Sequence, residues 1–134
     1  MLNVNHLNVF YGDAQALWDV SFTVAEKSLV AVIGSNGAGK STTLKTISNL
    51  LEPRSGEVRI DNKVTTGLPA HQVVEMGVAH VPEGRQLFAL MTVSENLKMG
   101  SILAEAKIKR METVREVFEM FPILGERKIN SPKL

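Results

Sequence analysis

An α/β fold in which a strand runs into a glycine loop and then a helix is what this sequence predicts, and three adjacent features carry it. Leu29-Val30-Ala31-Val32-Ile33 is an uninterrupted apolar run, Gly34 to Ser41 fits the spacing G-x-x-x-x-G-K-[ST], and Lys40 to Leu51 is compatible with a helix. Strand, loop and helix in that order form a P-loop, so the ligand expected is a nucleoside triphosphate.

The residue types follow from what a polyphosphate demands. A loop wrapped around it must present successive backbone N–H groups, and glycine lets the chain turn and approach closely, as Gly34, Gly37 and Gly39 allow. Lys40 supplies a point charge for the β- and γ-phosphates, the Ser41 hydroxyl suits Mg²⁺, and the helix behind them adds the positive end of its dipole. The string Gly34, Ser35, Asn36, Gly37, Ala38, Gly39, Lys40, Ser41, Thr42 is therefore assigned to nucleoside triphosphate binding. A glycine-rich turn with a surface lysine is the bland alternative, and the flanking strand and helix weigh against it.

The other elements are read in chain order. Leu2, Val4, Leu7 and Val9 alternate with polar residues apart from one slip, which predicts an opening strand; Leu17 to Val24 predicts a second, with Tyr11-Gly12-Asp13 as the turn. Leu29 to Ile33 reads as a buried central strand and Lys40 to Leu51 as a helix. Pro53-Arg54-Ser55-Gly56 is a turn into the short strand Glu57-Val58-Arg59-Ile60. Pro69 suits the first turn of a helix that stops by Gly77, and Val78-Ala79-His80-Val81 is a short apolar strand ended by Pro82. Thr92-Val93-Ser94-Glu95 fits a capping box, so a helix begins near Val93 and Gly100 interrupts it. Ile108, Met111, Val114, Phe118 and Phe121 recur at steps of three or four, giving an apolar stripe on a helix closed by Pro122. A core-facing role is expected for it, with a methionine-rich binding face as the alternative.

Composition narrows the function. Fifteen Lys+Arg against fourteen Asp+Glu, with 5% aromatics and no long basic run, give little support for nucleic-acid capture. Zero cysteines exclude disulfides and Cys-based zinc sites. The apolar run at Leu29 falls far short of the roughly 20 residues that cross a bilayer, and the N-terminus lacks a secretory pattern, so a membrane would enter through a partner. At 134 residues one domain is expected.

An aromatic after the first strand, the full string Gly34 to Thr42, and Pro53-x-x-Gly56-Glu57 together resemble an ABC transporter ATPase subunit. Val81-Pro82-Glu83-Gly84-Arg85-Gln86-Leu87-Phe88 followed by Met91-Thr92-Val93-Ser94-Glu95-Asn96-Leu97 resembles the branch serving branched-chain amino acid importers. The resemblance covers almost the whole chain. It implies a truncated P-loop NTPase core with an N-terminal antiparallel β subdomain, residues 1–83 forming that subdomain and the core and residues 84–134 the start of a helical subdomain. It further implies that Tyr11 stacks on adenine and Ala16 packs beside the sugar; the alternative for Tyr11 is a turn aromatic covering a sheet edge. Glu83 stands where most members carry a glutamine that touches Mg²⁺ and the attacking water. A carboxylate can accept from water or ligate Mg²⁺ but cannot donate as an amide does; a solvated charge in a Pro-Glu-Gly turn is the plainer reading. Gly84 to Gly100 would lie near the surface that receives the coupling helix of a membrane subunit.

Family members also carry a Leu-Ser-Gly-Gly signature, a Walker B aspartate followed by a catalytic glutamate, and a switch histidine. None occurs in this sequence: Asp13, Asp19 and Asp61, its only aspartates, do not end a Walker B strand. Hydrolysis needs an oriented water and a second acidic Mg²⁺ ligand, so binding without efficient turnover is expected. In the family's sheet the neighbours of the P-loop strand come from the part not found here, so Leu29 to Ile33 would expose an apolar edge and favour swapping or homo-oligomerisation. The resemblance implies an ATP-binding, energy-coupling importer subunit that is cytoplasmic and peripheral on the inner face of the cell membrane. Its partners would be a second ATPase subunit and membrane-spanning permeases, its cofactors ATP and Mg²⁺. A non-hydrolysing nucleotide-binding or dimerisation module is the alternative; a small kinase is disfavoured by the missing acidic metal ligand.

Overall fold

A computed structural model describes residues 1–84 and 86–130, the Glu105 side chain excepted. Arg85 of the Pro-Glu-Gly-Arg segment and residues 131–134 lie outside the described residues. The chain divides into two compact units, Met1–His80 and a second beginning at Val81.

The first unit is built on a four-stranded antiparallel sheet in the order β2-β1-β3-β4, from β1 (Leu2–Tyr11), β2 (Ala14–Val24), β3 (Ser55–Ile60) and β4 (Lys63–Val64). Tyr11 ends β1 and pairs with Ala14, leaving Gly12 and Asp13 as the turn, Gly12 with φ 60°. The slip in the alternation is a bulge. The pairings shift between Val4 and Leu7, where His6 takes φ 50°, and the three-residue step lets Val4, Leu7 and Val9 all point inward. The bulged His6 N–H donates to the Ser21 hydroxyl at 2.8 Å, so the break in the ladder leaves that donor satisfied. Val4, Leu7 and Val58 form the core, with Leu2, Val20, Phe22 and Ile47 packed against it.

Helix α1 (Lys40–Ile47) is shorter than the expected Lys40 to Leu51. Asn49 stops it by adopting φ 50°, with Asn49 N–H on Thr46 O at 3.0 Å and Leu50 N–H on Lys45 O at 2.9 Å, the paired bonds of a Schellman motif. The Asn49 amide donates to the carbonyls of Thr65 and Leu68 and pins that turn to the 65–68 loop. Pro69 caps α2 (Ala70–Glu75), which is over by Gly77 with φ 91°, as the sequence indicates.

The buried central strand expected at Leu29 to Ile33 is not formed. The segment belongs to no strand; Leu29 is 100% exposed and Ile33 92%. A strand exists only through a neighbour's N–H and C=O groups, and among the described residues no strand flanks this run, so its exposure is what an apolar edge without partners gives. Val78 to Val81 fails to form a strand for the same reason.

The second unit contains α3 (Val93–Met99), α4 (Ala104–Met120) and α5 (Pro122–Glu126). The capping box at α3 is complete: Glu95 N–H reaches the Thr92 hydroxyl at 3.2 Å, and the Glu95 carboxylate accepts from Thr92 N–H at 2.7 Å and Thr92 Oγ1 at 2.8 Å. The N–H groups of Val93 and Ser94 go to the carbonyls of Asn130 and Lys128. The backbone bond from Thr92, then its hydroxyl, hold the Glu95 carboxyl below the ordinary carboxylate value. A group depressed in the fold contributes above its ordinary value and is lost as pH falls through the depressed one. Amides of the first turn of α3 are therefore expected to keep their protection above the ordinary glutamate range and lose it as the pH falls below that range, and Thr92→Ala should remove most of that pH dependence in hydrogen exchange.

The stripe on α4 is only half covered. Val114 and Phe118 are partly buried, the latter lying against Gly125 of α5, whereas Ile108 is 85% and Met111 83% exposed. Among the described residues of this unit no element reaches the N-terminal half of α4 to bury them, so the core-facing expectation fails there.

Candidate functional site

The glycines of the loop are where the backbone requires them. Gly37 has φ 84° and Gly39 φ 88°, a region side chains rarely adopt. Gly39 has a second constraint, because a Cβ there would sit 2.4 Å from Leu17 Cδ2 and 3.2 Å from the Ala16 carbonyl. The start of α1 thus lies close against β2, where a methyl group would displace the Leu17 side chain and crowd the Ala16 carbonyl. Gly39 is also the N-cap of α1 and no side chain caps it, so the helix presents its first-turn N–H groups uncapped.

The Lys40 ammonium folds back across the loop, donating to the carbonyls of Gly34 at 2.8 Å and Ser35 at 2.7 Å, while Ala38 N–H closes the turn on Ser35 O at 3.2 Å. Among the described residues Lys40 takes part in no ion pair, so its charge faces only neutral carbonyl dipoles. Ser35, Asn36, Gly37, Ala38 and Ser41 are exposed, whereas Thr42 is 8% exposed. The arrangement offers backbone donors, a cation and a hydroxyl along one exposed turn, the chemistry that a polyphosphate with a hard divalent cation requires.

The seating of α1 is missed in the reading of the sequence. Its buried positions are Thr42, Thr43 and Thr46 rather than aliphatic residues. Thr43 Oγ1 donates to Gly39 O at 2.9 Å and Thr46 Oγ1 to Thr42 O at 3.0 Å, so the hydroxyls are satisfied within the helix and bury without cost in unmet bonds. Thr42, Thr43 and Thr46 share one helix face, and that spacing is the signal that could have found them.

Tyr11 and Ala16 lie at the same seam. The Tyr11 hydroxyl is 3.4 Å from Thr42 Oγ1 and the residue is 49% exposed; Ala16 is half-buried with its carbonyl against Gly39. Tyr11, Ala16 and the loop from Gly34 to Thr42 therefore meet within the first unit. Glu83 belongs to the second unit and is exposed, its backbone carbonyl accepting from Gln86 Nε2 at 3.4 Å. In that unit Asn96, quoted above only within the resembling segment, holds the preceding loop: its Oδ1 accepts from Phe88 N–H at 2.9 Å, and its Nδ2 donates to the carbonyls of Phe88 at 3.1 Å and Thr92 at 3.0 Å. Among the described residues no helix is long and apolar enough to cross a membrane.

Residues 17–133 match the family profile described as ABC transporter. The high-affinity branched-chain amino acid transport ATP-binding protein BraG of Pseudomonas aeruginosa is 39% identical over 127 residues, covering 95% of this chain and 54% of that protein. The probable branched-chain amino acid transport ATP-binding protein LivF of Archaeoglobus fulgidus is 36% identical over 124 residues, covering 92% and 52%. The chain thus spans about half the length of these relatives. Among solved structures, a dimeric ATP-binding cassette in a post-hydrolysis state bound to ADP and Pi superposes with TM-score 0.79 at 26% identity, over 98% of this chain and 62% of the other.

Proposed function

The chain belongs to the ABC transporter family of ATP-binding proteins, and from that membership we propose that it binds Mg-ATP as part of the energy-coupling subunit of an importer for branched-chain amino acids. The observation that carries the nucleotide reading is the loop itself: Gly37 and Gly39 at positive φ, an uncapped helix start and the Lys40 ammonium held over the turn. On this reading backbone N–H groups from Gly34 to Thr42 cradle the phosphates, Lys40 pairs with the β- and γ-oxygens, and the exposed ring of Tyr11 stacks on the base beside Ala16. Mg²⁺ would offset the charge of the phosphates; the Ser41 hydroxyl would hold it beside the loop, and Glu83 is the carboxylate that the resemblance offers as a ligand.

On the resemblance, residues 1–83 are the β subdomain and P-loop core and residues 84–134 open the helical subdomain, whereas the compact units divide between His80 and Val81. The partners are a second ATP-binding subunit and membrane-spanning permeases, which would place the chain at the cytoplasmic face of the cell membrane. The branched-chain amino acid assignment rests on the Val81 to Leu97 segment and on the names of the two relatives.

Calorimetric titration of the purified chain with Mg-ATP, with phosphate release followed on the same samples, tests the proposal. Saturable binding without turnover is expected, because no Walker B strand or signature string occurs in these residues to orient water. A folded sample that binds no Mg-ATP would sink the nucleotide reading.

A further inference from the structure

Base stacking needs only an aromatic ring, yet the residue at this place carries a hydroxyl, and that hydroxyl is within 3.4 Å of Thr42 Oγ1. The two partners differ in environment: Tyr11 is 49% exposed and Thr42 8%. A half-open ring is therefore tied at its far end to a side chain fixed in the first turn of α1. Thr42 is immobilised in turn, since its carbonyl accepts from Thr46 Oγ1 at 3.0 Å and Thr46 is fully buried. The same first turn is pressed onto β2 through Gly39, Ala16 and Leu17. The hydroxyl pair thus joins the end of β1 to a turn that is already anchored twice.

We propose that Thr42 is a positioning residue that, through the Tyr11 hydroxyl, fixes the angle at which the Tyr11 ring meets the base of the bound nucleotide. The proposal rests on the nucleotide reading above. Phosphate capture by the backbone N–H groups of the loop and by Lys40 does not need the Tyr11 hydroxyl; recognition of the base does, because a tyrosine ring otherwise rotates about two side-chain torsions and loses that freedom on binding. At 3.4 Å the pair is longer than the roughly 2.8 Å of a relaxed hydroxyl bond and has room to shorten when a base loads the ring.

The test compares Tyr11→Phe, Thr42→Val, Thr42→Ser and the double variant Tyr11→Phe/Thr42→Val, each titrated with Mg-ATP and with Mg-tripolyphosphate, which has no base. Tyr11→Phe keeps the ring and should weaken ATP by about fivefold, the scale of one net hydrogen bond, while leaving tripolyphosphate unchanged. Thr42→Ser, which keeps the hydroxyl, should leave the ATP-to-tripolyphosphate affinity ratio closer to the parent's than Thr42→Val does, and the double variant should be no weaker than Thr42→Val alone. The chain's single tyrosine gives one ring signal in NMR spectra, and Thr42→Val should shift it without nucleotide present. Tyr11→Phe binding ATP like the parent would overturn the proposal and leave stacking intact; equal losses for ATP and tripolyphosphate would overturn it by showing that the hydroxyl supports the loop. A folded parent chain that binds neither ligand would instead refute the nucleotide reading, and the positioning role with it.

Discussion

Lys40→Ala is expected to weaken Mg-ATP binding by about 100-fold or more, with the fold retained. The ammonium bonds to two carbonyls of its own loop, Gly34 at 2.8 Å and Ser35 at 2.7 Å. Those acceptors are neutral dipoles; phosphate oxygens carry formal charge, so the exchange adds a charge–charge attraction that the carbonyls cannot supply. Binding exchanges one set for the other at a gain that alanine forfeits. Stability should change little, because the lysine contacts lie at an exposed loop and the core of Val4, Leu7 and Val58 is untouched. Circular dichroism beside the titration separates the two effects. Lys40→Arg should not restore affinity, since a planar fork cannot occupy the place of a compact point charge between two carbonyls. Unchanged ATP affinity in Lys40→Ala would mean that the nucleotide is held away from this loop.

Legibility of the sequence followed how locally each feature is determined. The β1–β2 hairpin was readable because Leu2, Val4, Leu7 and Val9 carry the period of two on either side of one slip, and the bulge at His6 is that slip in three dimensions. The capping box at Thr92 and Glu95 was readable because all its bonds span three residues. The apolar run at Leu29 misled because periodicity reports a wish for cover and says nothing of whether a neighbour supplies it; the same holds for Ile108 and Met111 on α4. The two-residue β4 and the five-residue α5 are too short to carry a period. Within the site, the loop glycines and Lys40 were legible from spacing alone, whereas the seam joining Tyr11 to Thr42 depends on residues 31 apart in sequence and could be found only in the fold.

Gly56→Ala is expected to destabilise the first unit by about 3 kcal/mol or more, although Gly56 lies in a strand where alanine would ordinarily be harmless. In the sequence it is one letter of Pro53-x-x-Gly56-Glu57, a pattern that carried resemblance without a reason. The reason is the bulge. β1 carries one extra residue at His6, and β3 passes it with Gly56 at φ 94°, so close that a Cβ would lie 2.4 Å from the His6 carbonyl oxygen and 2.6 Å from that of Asn5. Both obstacles are backbone, which cannot rotate aside as a side chain would. Two costs therefore add: the positive φ and the collision with the β1 ladder, whose pairs Asn5↔Glu57 and Asn8↔Ser55 flank the site. Gly12→Ala is the control, because it shares a positive φ of 60° but has no heavy atom within 4 Å, leaving only the torsional penalty of about 1 kcal/mol. Urea unfolding followed by the fluorescence of Trp18, the only tryptophan and a β2 residue of the same sheet, reads both variants. Equal losses in the two would place the whole effect in the torsion. A larger loss at Gly56 would show that β3 and the bulge are built against each other, and that the sheet carrying Tyr11 and Ala16 to the loop depends on that fit.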